Sequence, residues 1–508
     1  MCGQPHPPFF LFGDPLLSSL ALSLILATAS TDNDLAAKAQ RGKEAMAAGR
    51  FDEAASIYRE IVKALPNEPG MLLSLGMAES MAGRRREALP PLRAAVKLKP
   101  DLLPAWLFLG ATHMELGEPA AAVSPLETVL AAQPENLQAR QMLAQALSGL
   151  QRWEQAARQF RALAERTPRD PRVWHGLGLS YEGLTQASYD ELRRGWPDSP
   201  YILLLTADAL ATEGKHANAF RLYREAAERQ PRFREPREAL ARVYERAGHA
   251  DWAAAAREKA KGIPLPDCRA RRSLECDFRA GRYVQVLTAA RALRTAEARY
   301  WRARAAQELA VQAFTQLGGL PPSAEGALVR AQVLSGQGRH VEAAAELRPA
   351  VQSWPDDPRL RHELASALHR SRDYDAARAL LEELVKEEPG SAGAAFLLGD
   401  SYLQQQQAGK AVPALESAVA ADPKLLPARA ALGRAYMLAG DPARALPQLE
   451  AARETDEDGS LNYQLSRAYQ ARGQTDRAEE ALRRSQEIRD AATARQREMQ
   501  QEFVIVPP

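Results

Sequence analysis

The stretch GRFDEAASIYREIVKALPNEP, from Gly49 to Pro69, could serve as one amphipathic helix followed by a turn. Its skeleton returns down the chain. Ala54 aligns with Ala88, Ala122 and Ala156 at intervals of 34 residues, and Pro66 with Pro100, Pro134 and Pro168. Gly42, Gly76 and Gly110 keep the same step. After a disturbed middle the register resumes at Ala343, Ala377, Ala411 and Ala445, then Ala478, with Pro355, Pro389 and Pro423 in phase. A fixed period of this length marks a repeat architecture, in which one supersecondary unit is stacked many times.

Each unit carries two helical apolar stripes separated by a short polar turn, often with a glycine: Gly49, Gly83, Gly117, Gly214, Gly338, Gly440 and Gly473. Glycine there supplies the positive φ that ends the first helix. A small residue at unit position 8 (Gly76, Gly110, Ala144, Gly178, Gly399, Gly433) admits a close crossing. Position 24 holds a large anchor: Tyr58, Leu92, Leu126, Phe160, Tyr223, Leu381, Leu415 or Leu449. Burying each anchor is worth about 1.5–3 kcal/mol. A single helix of this length is marginal in water, so the stacked array is the folding unit. Eleven units are in good register, beginning near residues 35, 69, 103, 137, 200, 234, 324, 358, 392, 426 and 459. Poorer units fill 171–199, 267–295 and 296–323, giving about 14 helix pairs in all. Pro90, Pro125, Pro413 and Pro447 fall inside second helices. Those helices are expected to begin late or bend without breaking.

The interval and its residue types resemble the tetratricopeptide repeat (TPR) family over residues 35 to about 490. The resemblance implies an all-α fold, a right-handed superhelical solenoid of stacked antiparallel helix pairs, with the first helix of each pair lining a concave groove that binds peptides or partner helices. Many members use a carboxylate clamp with Lys at unit position 5 and Asn at position 9. Here position 9 reads Lys43, Met77, Ala111, Gln145, Leu179, Asp208, Arg242, Gln332, Ser366, Asp400, Arg434 and Arg467, with no Asn. Capture of chaperone tails through that clamp is therefore not expected. The expected organisation is a signal peptide over 1–29, an N-terminal repeat block over 35–266 with an irregular unit at 171–199, irregular hairpins over 267–323, a C-terminal block over 324–492 and a tail over 493–508.

Composition narrows the function. A net charge of +2 in 508 residues, with cations and anions interleaved, argues against a dedicated nucleic-acid surface. No apolar run reaches the length of a membrane span. Residues 16–27, LLSSLALSLILA, have the length of a secretory core, and Ala27 and Ala29 form a small-residue cleavage pattern, although no Lys or Arg precedes Lys38. Export would place the mature chain outside the cytoplasm, in the periplasm or envelope. No P-loop, dinucleotide fingerprint, HExxH or GxSxG motif is present. No metal or cofactor is expected, and the chain reads as a non-enzymatic scaffold for protein or peptide partners. The alternatives are a structural part of a bacterial envelope assembly (secretion, pilus or polysaccharide export) or an accessory subunit of a separately encoded enzyme.

Two sets of residues stand out. With first-helix positions 5, 9, 12 and 13 facing the groove, its opening units present Met46, Leu73, Met77, Met81, Leu107 and Met114, an adaptable apolar surface. Further on the same positions turn polar, with Gln141, Gln145, His175, Arg242, His362 and His369. Alternatively, the apolar side chains pack on neighbouring first helices or on the segment before residue 35. The second set is Cys268 and Cys276, the cysteines left after cleavage. An exported chain suggests a disulfide; the alternative is two buried, unpaired thiols, since Cys is common in cores. On one straight helix the pair would lie about 12 Å apart, so a bridge requires the chain to turn between them.

Overall fold

The computed structural model describes residues 31–270, 272–501 and 505–508. The proposed signal segment lies outside these. Among the described residues there are 26 α-helices and no strand. Most form antiparallel neighbours in chain order: α1 (Thr31–Ala47) with α2 (Phe51–Ala64), α3 (Pro69–Met81) with α4 (Arg85–Leu98), α5 (Leu103–Glu115) with α6 (Pro119–Ala132), α7 (Leu137–Gly149) with α8 (Trp153–Arg166).

The physics of one pair repeats in the next. At the turn between helices, Gly49, Gly83 and Gly117 adopt φ of 71°, 79° and 71° with open space where a Cβ would stand, so these glycines serve the backbone alone. Gln151, Arg372 and Gln406 take the same left-handed conformation without that freedom. At position 8 the glycine serves packing: a Cβ on Gly76 would stand 2.5 Å from Leu92 Cγ, and one on Gly110 2.7 Å from Leu126. The buried anchor occupies the space the missing side chain leaves. The helices with internal prolines start in the ordinary place, which corrects the expected late start: Pro90 lies inside α4 and Pro125 inside α6. An interior proline removes one rung of the ladder. Full burial of Leu92 and Leu126 in the same helices offsets that loss.

The chain divides into two compact units, each discontinuous: residues up to Ala187 with Ala303–Gln316, and Ser188–Arg302 with Leu317–Pro508. This division cuts the 35–266 block at residue 187, and it rests on two long helices. One is α9, Pro171–Gly195; the other, α16, is Ala296–Gly318. Each replaces an expected hairpin, so there are two fewer helices than 14 pairs would give. In α9 Gly183 is packed: a Cβ there would stand 2.3 Å from the Trp153 ring. In α16 no glycine or proline interrupts residues 296–317. Within the first unit, Gly178 of α9 is covered by Phe314 of α16, with a built Cβ 2.3 Å from Cε1. The repeat opened at Pro171 is thus completed by a helix from far downstream.

The second unit continues through α10 (Pro200–Thr212), α11 (His216–Arg229), α12 (Glu235–Arg246) and α13 (Ala250–Lys261). After a break at residues 262–270 and 272–273 come the short α14 (Leu274–Arg279) and α15 (Tyr283–Arg291). Tyr300 and Trp301, both buried, tie this segment together through Tyr201, Phe233 and Phe278, with ring centroids 5.1 Å (Tyr201–Tyr300), 6.0 Å (Phe233–Tyr300) and 5.0 Å (Phe278–Trp301) apart. From α17 (Ala324–Gly336) to α26 (Thr475–Gln501) the regular pattern returns, with Leu415 and Leu449 seated over Gly399 and Gly433.

Candidate partner-binding surface

The first helices of the first unit display the apolar set. Met77 and Met81 on α3 and Leu107 and Met114 on α5 are half-buried. Met46 and Leu73 are also half-buried, but each packs on a neighbouring core cluster, Met46 on that of Ala54 and Tyr58, Leu73 on that of Leu72 and Leu92. The opposite side of α3 is closed by Leu72, Leu75 and Ala78. Gln141 and Gln145 on α7 and His175 on α9 are half-buried as well.

A buried charge cluster joins α2, α3 and the start of α4. Glu79, 3% exposed, accepts hydrogen bonds from Arg59 and from Arg84 Nε at 2.5 Å. The Glu79 hydrogen bond, then that of Asp52, holds the Arg84 pKa above its ordinary value. The buried carboxylate is thus satisfied from within the repeats.

In the second unit Arg242 is exposed on α12, and His362 and His369 are half-buried on α19 (Pro358–Arg370). Both histidines reach the next first helix or its approach. His362 Nε2 lies 3.2 Å from Ser391 Oγ, and His369 Nδ1 2.9 Å from Ser401 Oγ. His369 Nε2 also meets Asp400 Oδ2 at 3.2 Å, and Arg434 meets Asp400 Oδ1 at 3.4 Å. Burial pushes the Asp400 pKa up, but the His369 hydrogen bond and the Arg434 charge overcome it and hold the carboxyl below its usual value. Burial lowers the His362 pKa. The Asp400 network crosses three successive first helices, because α21 (Ala392–Gln404) and α23 (Leu426–Leu438) present Asp400 and Arg434 at the same unit position. Sequence reading noted both at position 9 but did not single them out as a pair. Their spacing of one repeat was the available signal.

Cys268 and Cys276 are joined as a disulfide, with Cα atoms 5.5 Å apart. The helix opens only at Leu274, capped by Ser273, whose side chain accepts from Cys276 N, so the chain turns between the cysteines. Asp277, buried one residue on, is held by Arg272 and Arg282 at 3.0 and 2.7 Å. Among the described residues no group of three or more His, Cys, Asp or Glu could hold a metal ion, and no helix is long and apolar enough to cross a membrane.

These features define an all-helical repeat protein. Tetratricopeptide repeat profiles match residues 113–178, 334–399 and 402–460, residues 40–102, 76–137 and 186–233, and residues 459–491. The chain belongs to the tetratricopeptide repeat family, and such repeats support a protein-interaction scaffold. Among solved structures it is similar to MamA 41-end from Desulfovibrio magneticus RS-1, at 23% identity over 33% of this chain and 96% of that one, TM-score 0.31. It is also similar to TTC0263, a thermophilic TPR protein in Thermus thermophilus, at 18% identity over 36% of this chain and 100% of that one, TM-score 0.29. No curated protein matches the chain.

Proposed function

We propose that this protein is a non-enzymatic scaffold whose first-helix face in the opening repeats binds the apolar side of an amphipathic helix or extended peptide. The observation that carries the reading is the partial exposure of Met77, Met81, Leu107 and Met114 on helices whose other sides are closed. A helix laid into such a face is read through a few apolar anchors, and Met adapts to varied anchors. Export, read from residues 1–29, would put the partner in the periplasm or envelope, and the mature native protein would then begin near Ser30.

The test compares the wild-type chain with the double variant Met77→Asp, Met81→Asp. Both are used as bait in crosslinking capture from the envelope fraction, with helical circular dichroism as the folding control. The variant should lose the partner that the wild type retains. Retention of the same partner by a folded variant would place the binding surface elsewhere.

A further inference from the structure

The tail of the chain has a seat in the second unit that the first-helix reading does not use. Val506, Pro507 and Pro508 border a cleft of about 180 Å³ whose walls include Phe220 and Arg224 of α11, Leu240 and Tyr244 of α12, and Ala256 and Lys259 of α13. Two of these three helices are second helices of their repeats. On α12 the lining residues Leu240 and Tyr244 lie four apart on one side, while Arg242, the position expected to face a partner, is exposed and takes no part in the cleft.

The chemistry of the seat matches the chemistry of the tail. A proline has no N–H, so a Val-Pro-Pro segment offers carbonyls and apolar ring faces and almost no donor. The cleft provides the missing donor: Tyr244 Oη donates to the Val506 carbonyl at 2.9 Å. Burial pushes the Tyr244 pKa up and keeps its proton on. It also provides an aromatic wall. The Tyr244 ring lies 5.5 Å from Phe220 and 5.8 Å from Trp252, which stacks on His249 at 3.9 Å. Aromatic walls with a side-chain donor are the usual means of holding a preformed polyproline-type segment, which loses little entropy on binding. The occupant is lightly held. Val506 keeps 37% of its surface exposed, so the tail rests at the lip of the cleft and is suited to exchange.

We propose that the cleft between α11, α12 and α13 is a recognition site for extended Val-Pro-Pro-type segments, with this chain's own tail as the resident occupant that an incoming segment of the same chemistry displaces. The proposal is independent of the first-helix face.

The test uses the full chain and a fluorescent peptide with the sequence of residues 502–508, Glu-Phe-Val-Ile-Val-Pro-Pro. Fluorescence anisotropy measures its binding to the wild type and to the variant Val506→Asp, Pro507→Asp, whose tail cannot seat. The peptide should bind the variant at least tenfold more tightly than the wild type. In the variant background Leu240→Asp should abolish binding, and Tyr244→Phe should weaken it several-fold. The same peptide with both prolines replaced by alanine should bind at least tenfold more weakly. No binding to the opened variant, or equal binding to both proteins, overturns the proposal. So does indifference to Leu240→Asp in a protein with an intact helical signal. If that variant unfolds, the tyrosine variant and the alanine peptide decide, and unchanged affinity in both overturns it.

Discussion

The repeats at 69–134 and the repeat opened at Pro171 follow one packing rule with different suppliers. In the first, the glycine of one helix is filled by the anchor of the next: Leu92 over Gly76, Leu126 over Gly110. In the second, Gly178 is filled by Phe314, on a helix the chain reaches only after residues 188–302 have joined the other unit. Gly183 shows the same contrast within one residue type. Gly83 and Gly117 turn the chain in open space, whereas Gly183 lies inside α9 with Trp153 over its empty side. The cradle is local chemistry, and what fills it is a matter of topology.

The largest expected effect is on the local side of this comparison. Leu92→Ala should cost about 2–5 kcal/mol, as for other fully buried leucines, measured by urea denaturation. A loss under about 1 kcal/mol would show that the cradle collapses around the gap.

Phe314→Ala tests the distant supplier. Phe314 is half-buried, so the cost should be about 2–3 kcal/mol, below that of a fully buried ring. Its hydrogen-exchange signature should fall on residues 171–187 as well as on α16. Protection unchanged over 171–187 would refute the completed repeat.

The irregular segment invites a third test. Cys268→Ser should destabilise by about 2.5 kcal/mol, the closure entropy of a loop this short, with the loss confined to residues 262–291. Two thiols titrating in the unfolded, unreduced native protein would remove the bridge from the argument.

Asp400→Asn addresses the polar first helices and should cost on the order of 1–2 kcal/mol at neutral pH. Because the folded Asp400 pKa is lowered, its contribution is full above the ordinary aspartate pKa. It is lost as pH falls through the lower folded value. The variant should flatten that acid limb of a stability–pH curve. An unchanged limb would mean that His369 and Arg434 do not favour the carboxylate.

The smallest effect belongs to the turns. Gln406 holds φ of 61° where most repeats have glycine, and its side chain is exposed. Gln406→Gly should therefore stabilise by about 0.5–1 kcal/mol, seen as a small rise in Tm. A fall would show that unfolded-state entropy outweighs the relief of strain.

The sequence by itself determined the repeat and its register, because turn glycine, cradle glycine and anchor are chosen by contacts within one helix pair and so recur at one spacing. It also presented the half-buried methionines as a pattern, since positions on one helix face are set by the helical period. Only the tertiary structure decided that α9 and α16 run as single helices, that Phe314 completes the repeat at Pro171, and that the tail meets Tyr244. In each of these the partners are far apart in the chain, and a cradle such as Gly178 accepts any apolar side chain of fitting shape, so no local spacing records which one arrives. The tail is too short to show any period, and its seat exists only where α11, α12 and α13 come together.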